Sequence, residues 1–284
     1  MNIYRFLTVY AWKHFEARSI EPVLRSAMTV IDDRTRAEMG RFILSCQCAD
    51  GGFQDRGGRS DVYYTLFGHF VAQALGLNEI ILRLKEYVRQ KACDPHLSGT
   101  DLYCSAILYA SLFGRDAISR KLAGKIRSVI GQSDISQPEY TYFMVVISLI
   151  YLEDFRGARE ALKAIRNHNT GHDMPCPVVA AFQVLSYLEN GDQTGLNQKI
   201  MGFYRGNGGF SALADAPGED LLSTAVALFA LQFMKTGLGR IKADCLQYID
   251  SLYEGGGFRA SSNEEMIDTE YTFYGLLALG SLSS

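Results

Sequence analysis

Three features of this 284-residue chain predict an all-α fold, an (α/α)6 toroid of about six helical hairpins. A short text recurs: Gly-Gly-Phe, a polar loop, then Asp-x-x-x-Thr opening an apolar helix. Long apolar segments return at roughly 40-residue intervals. Strand signals are nearly absent, with no alternating run closed by Asn-Gly or Asp-Gly. A repeat of this length marks one supersecondary unit used several times.

Two segments lead in, Ile3–Phe15 and Pro22–Ile31, so residues 1–33 form a helical leader and residues 34–284 the repeats. Apolar segments begin near Val62, Leu102, Tyr140, Val178, Leu221 and Thr269. The first runs Val62 to Leu75 with apolar residues on nearly every side, as a fully buried helix requires. Amphipathic segments alternate with them: Glu38–Cys46, Ile80–Gln90, Ile118–Val129, Ala158–Ile165, Leu196–Tyr204 and Ile241–Leu252. In the last, Ile241, Cys245, Tyr248 and Ile249 alternate with Lys242, Asp244 and Asp250, the period of a surface helix. The six prolines fall at segment edges, where helices break. Alternating buried and amphipathic helices can stack openly or curl into an inner and an outer ring. Six pairs suit closure, giving one toroid domain over residues 1–284 with an apolar central pocket.

The bulk numbers exclude several classes. The chain is 48% hydrophobic and 21% charged, with a formal net charge of −3 spread without long runs. That is a globular composition with no footprint for nucleic acid. No apolar stretch reaches the ~18 residues of a membrane span. Met1 to Arg5 lacks the basic start of a signal peptide, and six cysteines read as reduced thiols, so the expected location is cytoplasmic. Cys46 and Cys48 form a C-x-C that matches no zinc knuckle.

The copies of the repeat are Gly51-Gly52-Phe53 with Asp61 and Thr65, Gly208-Gly209-Phe210 with Asp220 and Thr224, and Gly256-Gly257-Phe258 with Asp268 and Thr272. The Phe-to-Thr distance is 12, 14 and 14 residues. Asp61, Asp101, Asp220 and Asp268 each precede an apolar segment, where an aspartate caps free N–H groups for roughly 1 kcal/mol. The glycines permit φ > 0 where an amphipathic helix ends. The phenylalanines are expected to wedge between neighbouring helix pairs.

Gln47-x-x-Asp50-Gly51-Gly52-Phe53, followed by Ser60-Asp61-Val62-Tyr63-Tyr64-Thr65, resembles the repeat shared by protein prenyltransferase β subunits and the squalene and oxidosqualene cyclases. The resemblance spans nearly the whole chain, specific at repeats one, five and six and faint at three and four. It implies an α/α toroid that holds a prenyl chain centrally. The β subunits carry Gly-Phe-Gln-x-Arg-x-x-Lys before an Asp-x-Cys-Tyr-Ser helix start. Here Arg56 and Arg59 fall where those enzymes place diphosphate-binding cations, and Tyr64 falls on a diphosphate-contacting tyrosine. Guanidinium groups grip phosphate bidentately, and a helix N-terminus adds its own field. In the zinc site of those transferases, Asp61 keeps its place, Tyr63 stands at the cysteine and Cys104 at the histidine. The intact zinc site is therefore absent from the sequence, which puts cysteine-directed prenylation in doubt, while Mg²⁺ is compatible with a diphosphate substrate.

The cyclases use Asp-x-Asp-Asp-Thr-Ala at the same joint, the middle aspartate protonating an alkene or epoxide. Repeat six comes nearest: Asp268-Thr269-Glu270-Tyr271-Thr272. Glu270 takes the acid's place and Asp268 the leading aspartate's. Two carboxylates at a buried mouth push one pKa upward, which makes a proton donor; a Glu in a first helical turn is also ordinary capping chemistry. Aromatic residues crowd the apolar segments, among them Tyr63, Phe67, Phe70, Tyr103, Tyr109, Tyr142, Tyr271 and Phe273, with faces suited to carbocations or core packing. His69, mid-helix, is expected to be satisfied by a neighbour. His172, Asp173 and Cys176 fit no standard metal spacing.

The expected function is an isoprenoid enzyme binding a prenyl diphosphate or polyprene. Glu270 and Asp268 are its catalytic candidates, and Arg56, Arg59, Tyr64, Asp61, Tyr103 and Tyr271 its substrate-binding candidates. Prenyl transfer to a non-protein acceptor and protonation-driven cyclisation both stay open. Two alternatives stand beside it: a non-catalytic toroid that binds a lipid or a protein, and a β-like subunit that needs an α-helical partner.

Overall fold

The computed structural model describes residues 19–132, 138–165, 174–190 and 195–283. The leading segment Ile3–Phe15 and the residues His168, His172 and Asp173 lie outside the described residues. Two compact units result, one of Met39–His172 with Asp268–Glu270, the other of Met1–Glu38, Asp173–Ile267 and Tyr271–Ser284.

The chain opens with α1 (Ile20–Ala27) and α2 (Asp33–Ser45). A two-stranded hairpin follows, β1 (Phe53–Gln54) with β2 (Ser60–Asp61), pairing Phe53 with Asp61. Then come α3 (Val62–Leu75), a 3-10 turn at Asn78–Ile80, α4 (Ile81–Ala92), α5 (Gly99–Phe113), α6 (Ala117–Arg127), α7 (Pro138–Tyr151) and α8 (Phe155–Ile165). After them stand α9 (Cys176–Asn190), α10 (Leu196–Met201), α11 (Leu221–Phe233) and α12 (Lys242–Ser251). Strands β3 (Tyr253–Glu254), β4 (Gly257–Arg259) and β5 (Ile267–Asp268) form a small sheet in that order before α13 (Thr269–Ser283).

The predicted alternation is present. In α3 every residue from Thr65 to Ala72 is buried, whereas α4 buries only Leu84, Tyr87, Val88 and Ala92, one stripe at helical spacing. Apolar helices pack side by side, α3 on α5 and α5 on α7 in one unit, α9 on α11 in the other. Amphipathic α4 and α6 pack on α5, and α8 packs on α7. Helix starts differ from the periodic reading where the first turn is polar. Helix α2 begins at Asp33 rather than Glu38 because the Asp32 carboxylate accepts from Thr35 N at 2.9 Å and closes an earlier turn. Helix α5 begins at Gly99, so Asp101 sits inside its first turn and not before it.

The short strands are a departure from a purely helical reading, and they come from the repeat itself. Phe53 N donates to Thr65 Oγ1 at 2.9 Å, and that hydroxyl donates to the Asp61 carbonyl. Phe210 with Thr224 repeats the bond at 2.9 Å, and Phe258 with Thr272 at 3.4 Å. This clasp explains why Thr stands four residues after Asp in every copy: its hydroxyl ties the incoming strand to the first helical turn. The phenylalanine ring also lies closer to home than expected. A Cβ on Gly68 would come within 2.4 Å of the Phe53 ring, so that ring seats on the apolar helix of its own repeat. Gly51 has φ +96°, and a Cβ there would meet the Arg83 carbonyl oxygen of the following helix at 2.2 Å. The first glycine of the motif therefore lets one repeat touch the next backbone to backbone.

Candidate functional site

The site grows from two helix N-termini in one unit. Asp61 is the N-cap of α3, its carboxylate accepting from Tyr64 N at 3.0 Å. That leaves Tyr63 as the second helical residue. Glu270 is the second residue of α13, so the two occupy the same place in repeats one and six. They meet: Tyr63 Oη donates to Glu270 Oε1 at 2.7 Å. The Tyr64 carbonyl accepts from Thr269 Oγ1 at 3.4 Å, which holds the two first turns together.

The β1–β2 loop completes the group. Asp55 Oδ1 accepts from Gly57 N and Arg59 N, which folds the loop tightly. From it Arg56 Nε reaches Asp268 Oδ2 at 2.9 Å, an ion pair between a carboxylate 8% exposed and a guanidinium 35% exposed. The sequence candidates thus divide. Arg56, Asp268, Glu270 and Tyr64 come together, with Tyr63 as a member that the sequence reading placed at the cysteine of a broken zinc site and among the general aromatics. Its signal was the shared register, two residues after the capping aspartate. Arg59 is exposed on the loop, Asp61 spends its carboxylate on its own helix, and Tyr103 is buried on α5. Tyr271 follows Glu270 on α13, its ring centroid 6.2 Å from that of Tyr274.

Electrostatics shift the Glu270 carboxyl toward holding its proton. Burial pushes its carboxyl above the ordinary value; the Tyr63 hydrogen bond lowers it, Asp268 raises it and Arg56 lowers it, and the upward effects win. Tyr64 is likewise pushed up by burial, with Asp268 and Glu270 adding to the effect, so its hydroxyl keeps its proton. A protonated carboxyl held on one oxygen by Tyr63 has its other oxygen available to carry a proton toward a bound partner.

The residues at the zinc positions do not suit a metal. The Cys104 thiol is fully buried and pushed far up by desolvation, so it resists becoming the thiolate that zinc requires. Among the described residues no three His, Cys, Asp or Glu side chains gather as a metal group. Several aromatics serve structure: Tyr109 Oη donates to Asp116 at 2.6 Å, and Asp116 caps α6. His69 pairs with Ser111, Nε2 to Oγ 2.8 Å, as the sequence reading expects. The six cysteines carry no disulfide, and no helix among the described residues is long and apolar enough to cross a membrane.

Comparison with known proteins agrees with the repeat. A search of curated proteins finds none that matches. The family model of the prenyltransferase alpha-alpha toroid domain matches residues 18–96 and 178–283, well over half of the chain. The unmatched stretch includes repeat three, where the motif text is faint. The chain belongs to the prenyltransferase alpha-alpha toroid family, and its all-α fold is that family's toroid.

Proposed function

We propose that this protein is an isoprenoid-acting enzyme whose single toroid, residues 1–284, holds a polyprene in its apolar centre and protonates it. Glu270 is the proton donor. Tyr63 holds its Oε1, and beside it the Arg56 guanidinium pairs with Asp268. The observation that carries this reading is the buried, raised Glu270 carboxyl bonded by Tyr63 at 2.7 Å beside that ion pair. A protonated alkene or epoxide yields a cation, and ring faces such as Tyr63 and Tyr64 stabilise cations by ~0.5–2 kcal/mol per contact.

Prenyl transfer fits the geometry less well. It asks Arg56 to grip a diphosphate, yet Arg56 is engaged by Asp268, and the exposed Arg59 supplies one cation on its own. The test offers linear polyprenes, their terminal epoxides and prenyl diphosphates, and follows both cyclic product and diphosphate release. Glu270→Gln is expected to lower cyclisation by about 10²–10⁴-fold, the usual weight of a general acid. Diphosphate release that persists in Glu270→Gln and vanishes in Arg56→Ala would replace this reading with transfer.

A further inference from the structure

A second pocket lies at the other end of α3. It is a cavity of about 250 Å³ between the last turns of α3 and α5, the Asn78–Ile80 turn and the start of α4. His69 lies six residues along α3 from Tyr63, so roughly 9 Å of helix separates it from the candidate active site. Most of the wall is apolar, with Ala72, Leu77, Ile81 and Leu112 contributing. The buried polar groups on the wall answer one another: His69, 6% exposed, pairs with Ser111 at 2.8 Å. An apolar guest beside them therefore strands no buried donor or acceptor.

One charge faces this cavity. Lys85 lines it, and among the described residues no carboxylate pairs with Lys85. Its ammonium lies 5.9 Å from the Phe113 ring centroid. A half-buried lysine with no counter-ion among the described residues, above an apolar wall, is complementary to a carboxylate carrying a short hydrocarbon tail. At the ~30 Å³ that a water-sized group occupies in a liquid, the volume admits roughly eight non-hydrogen atoms.

We infer that this pocket is a binding site for a small amphipathic monocarboxylate, its head on Lys85 and its tail against Ala72, Leu77, Ile81 and Leu112. The inference is independent of the reaction at Glu270. Hexanoate has the predicted size, and hexanol is its uncharged counterpart. Both are titrated into the full chain while the His69 ring and Ala72 methyl resonances are followed. Saturable shifts at both residues are expected with hexanoate, with at least tenfold weaker binding for hexanol. Lys85→Met, a half-buried position that leaves the core intact, is expected to weaken hexanoate at least tenfold and to leave hexanol unchanged. No saturable shift with hexanoate at 10 mM (roughly the weakest affinity worth calling a site), or equal affinity for hexanoate in Lys85→Met, would overturn the proposal.

Discussion

Replacing Thr65 by Val tests whether the clasp between strand and helix is the energetic centre of the repeat. Valine keeps the β-branched shape, so packing changes little while the hydroxyl is lost. Thr65 and Phe53 are both fully buried, so no water reaches the gap. The Phe53 N–H, which bonded Oγ1 at 2.9 Å, is left with no acceptor at that position. A buried donor left unsatisfied costs about 1–3 kcal/mol, and the Asp61 carbonyl also loses a donor, so the expected destabilisation is about 2–3 kcal/mol. Thr65→Ser keeps the hydroxyl and removes one methyl, for about 1 kcal/mol. The same change at Thr272 is expected to cost about half as much as at Thr65, because the Phe258 bond is 3.4 Å long. Urea unfolding of the three variants, read as midpoint shifts at constant slope, gives the comparison. A Thr65→Val variant no less stable than Thr65→Ser would refute the reasoning.

Other perturbations test neighbouring parts. Gly51→Ala places a methyl 2.2 Å from the Arg83 carbonyl oxygen at φ +96°, so a loss above ~3 kcal/mol, or failure to accumulate folded protein, is expected in the same unfolding assay. Burial holds His69 down to about 4 from 6.5, a depressed pKa whose stabilisation is complete above pH 6.5 and lost as pH falls through the folded value. Acid unfolding should therefore lose about 3 kcal/mol between pH 6.5 and 4, and a His69→Gln variant should lack that slope. For Glu270 the sign is opposite. Its raised pKa contributes stability below the unfolded value that fades as pH rises, so Glu270→Gln should gain relative stability toward neutral and higher pH. Activity that needs protonated Glu270 should fall as pH rises through its pKa. Arg56→Met, which removes a cation favouring the carboxylate, should move that falling limb to higher pH in a pH–rate profile.

The repeat was legible because its parts are local. Asp61 and Thr65 are one helical turn apart, and Gly51 to Phe53 precede them by a short loop, so spacing alone encodes the joint. The apolar runs marked α3, α11 and α13 to their first residues, since a helix with no polar face reveals its beginning in composition. The starts of α2 and α5 were missed where polar first turns carry no apolar period. For the site, the resemblance of the repeat to prenyltransferase β subunits and to the cyclases singled out Glu270, Asp268, Arg56 and Tyr64 as candidates.

What that text could not carry was partnership. Arg56 and Asp268 are 212 residues apart, and Tyr63 and Glu270 are 207 apart. Only the folded chain brings them within hydrogen-bonding distance. Arg56 reads in sequence as a cation free for phosphate, and in the structure as the counter-ion of a buried carboxylate. Residue type and local spacing thus determine the hairpin, its caps and its apolar faces, because those depend on neighbours along the chain. Protonation state and charge balance depend on burial and on groups from distant repeats, so tertiary packing alone decided that the Glu270 carboxyl is pushed up and that Arg56 pairs with Asp268.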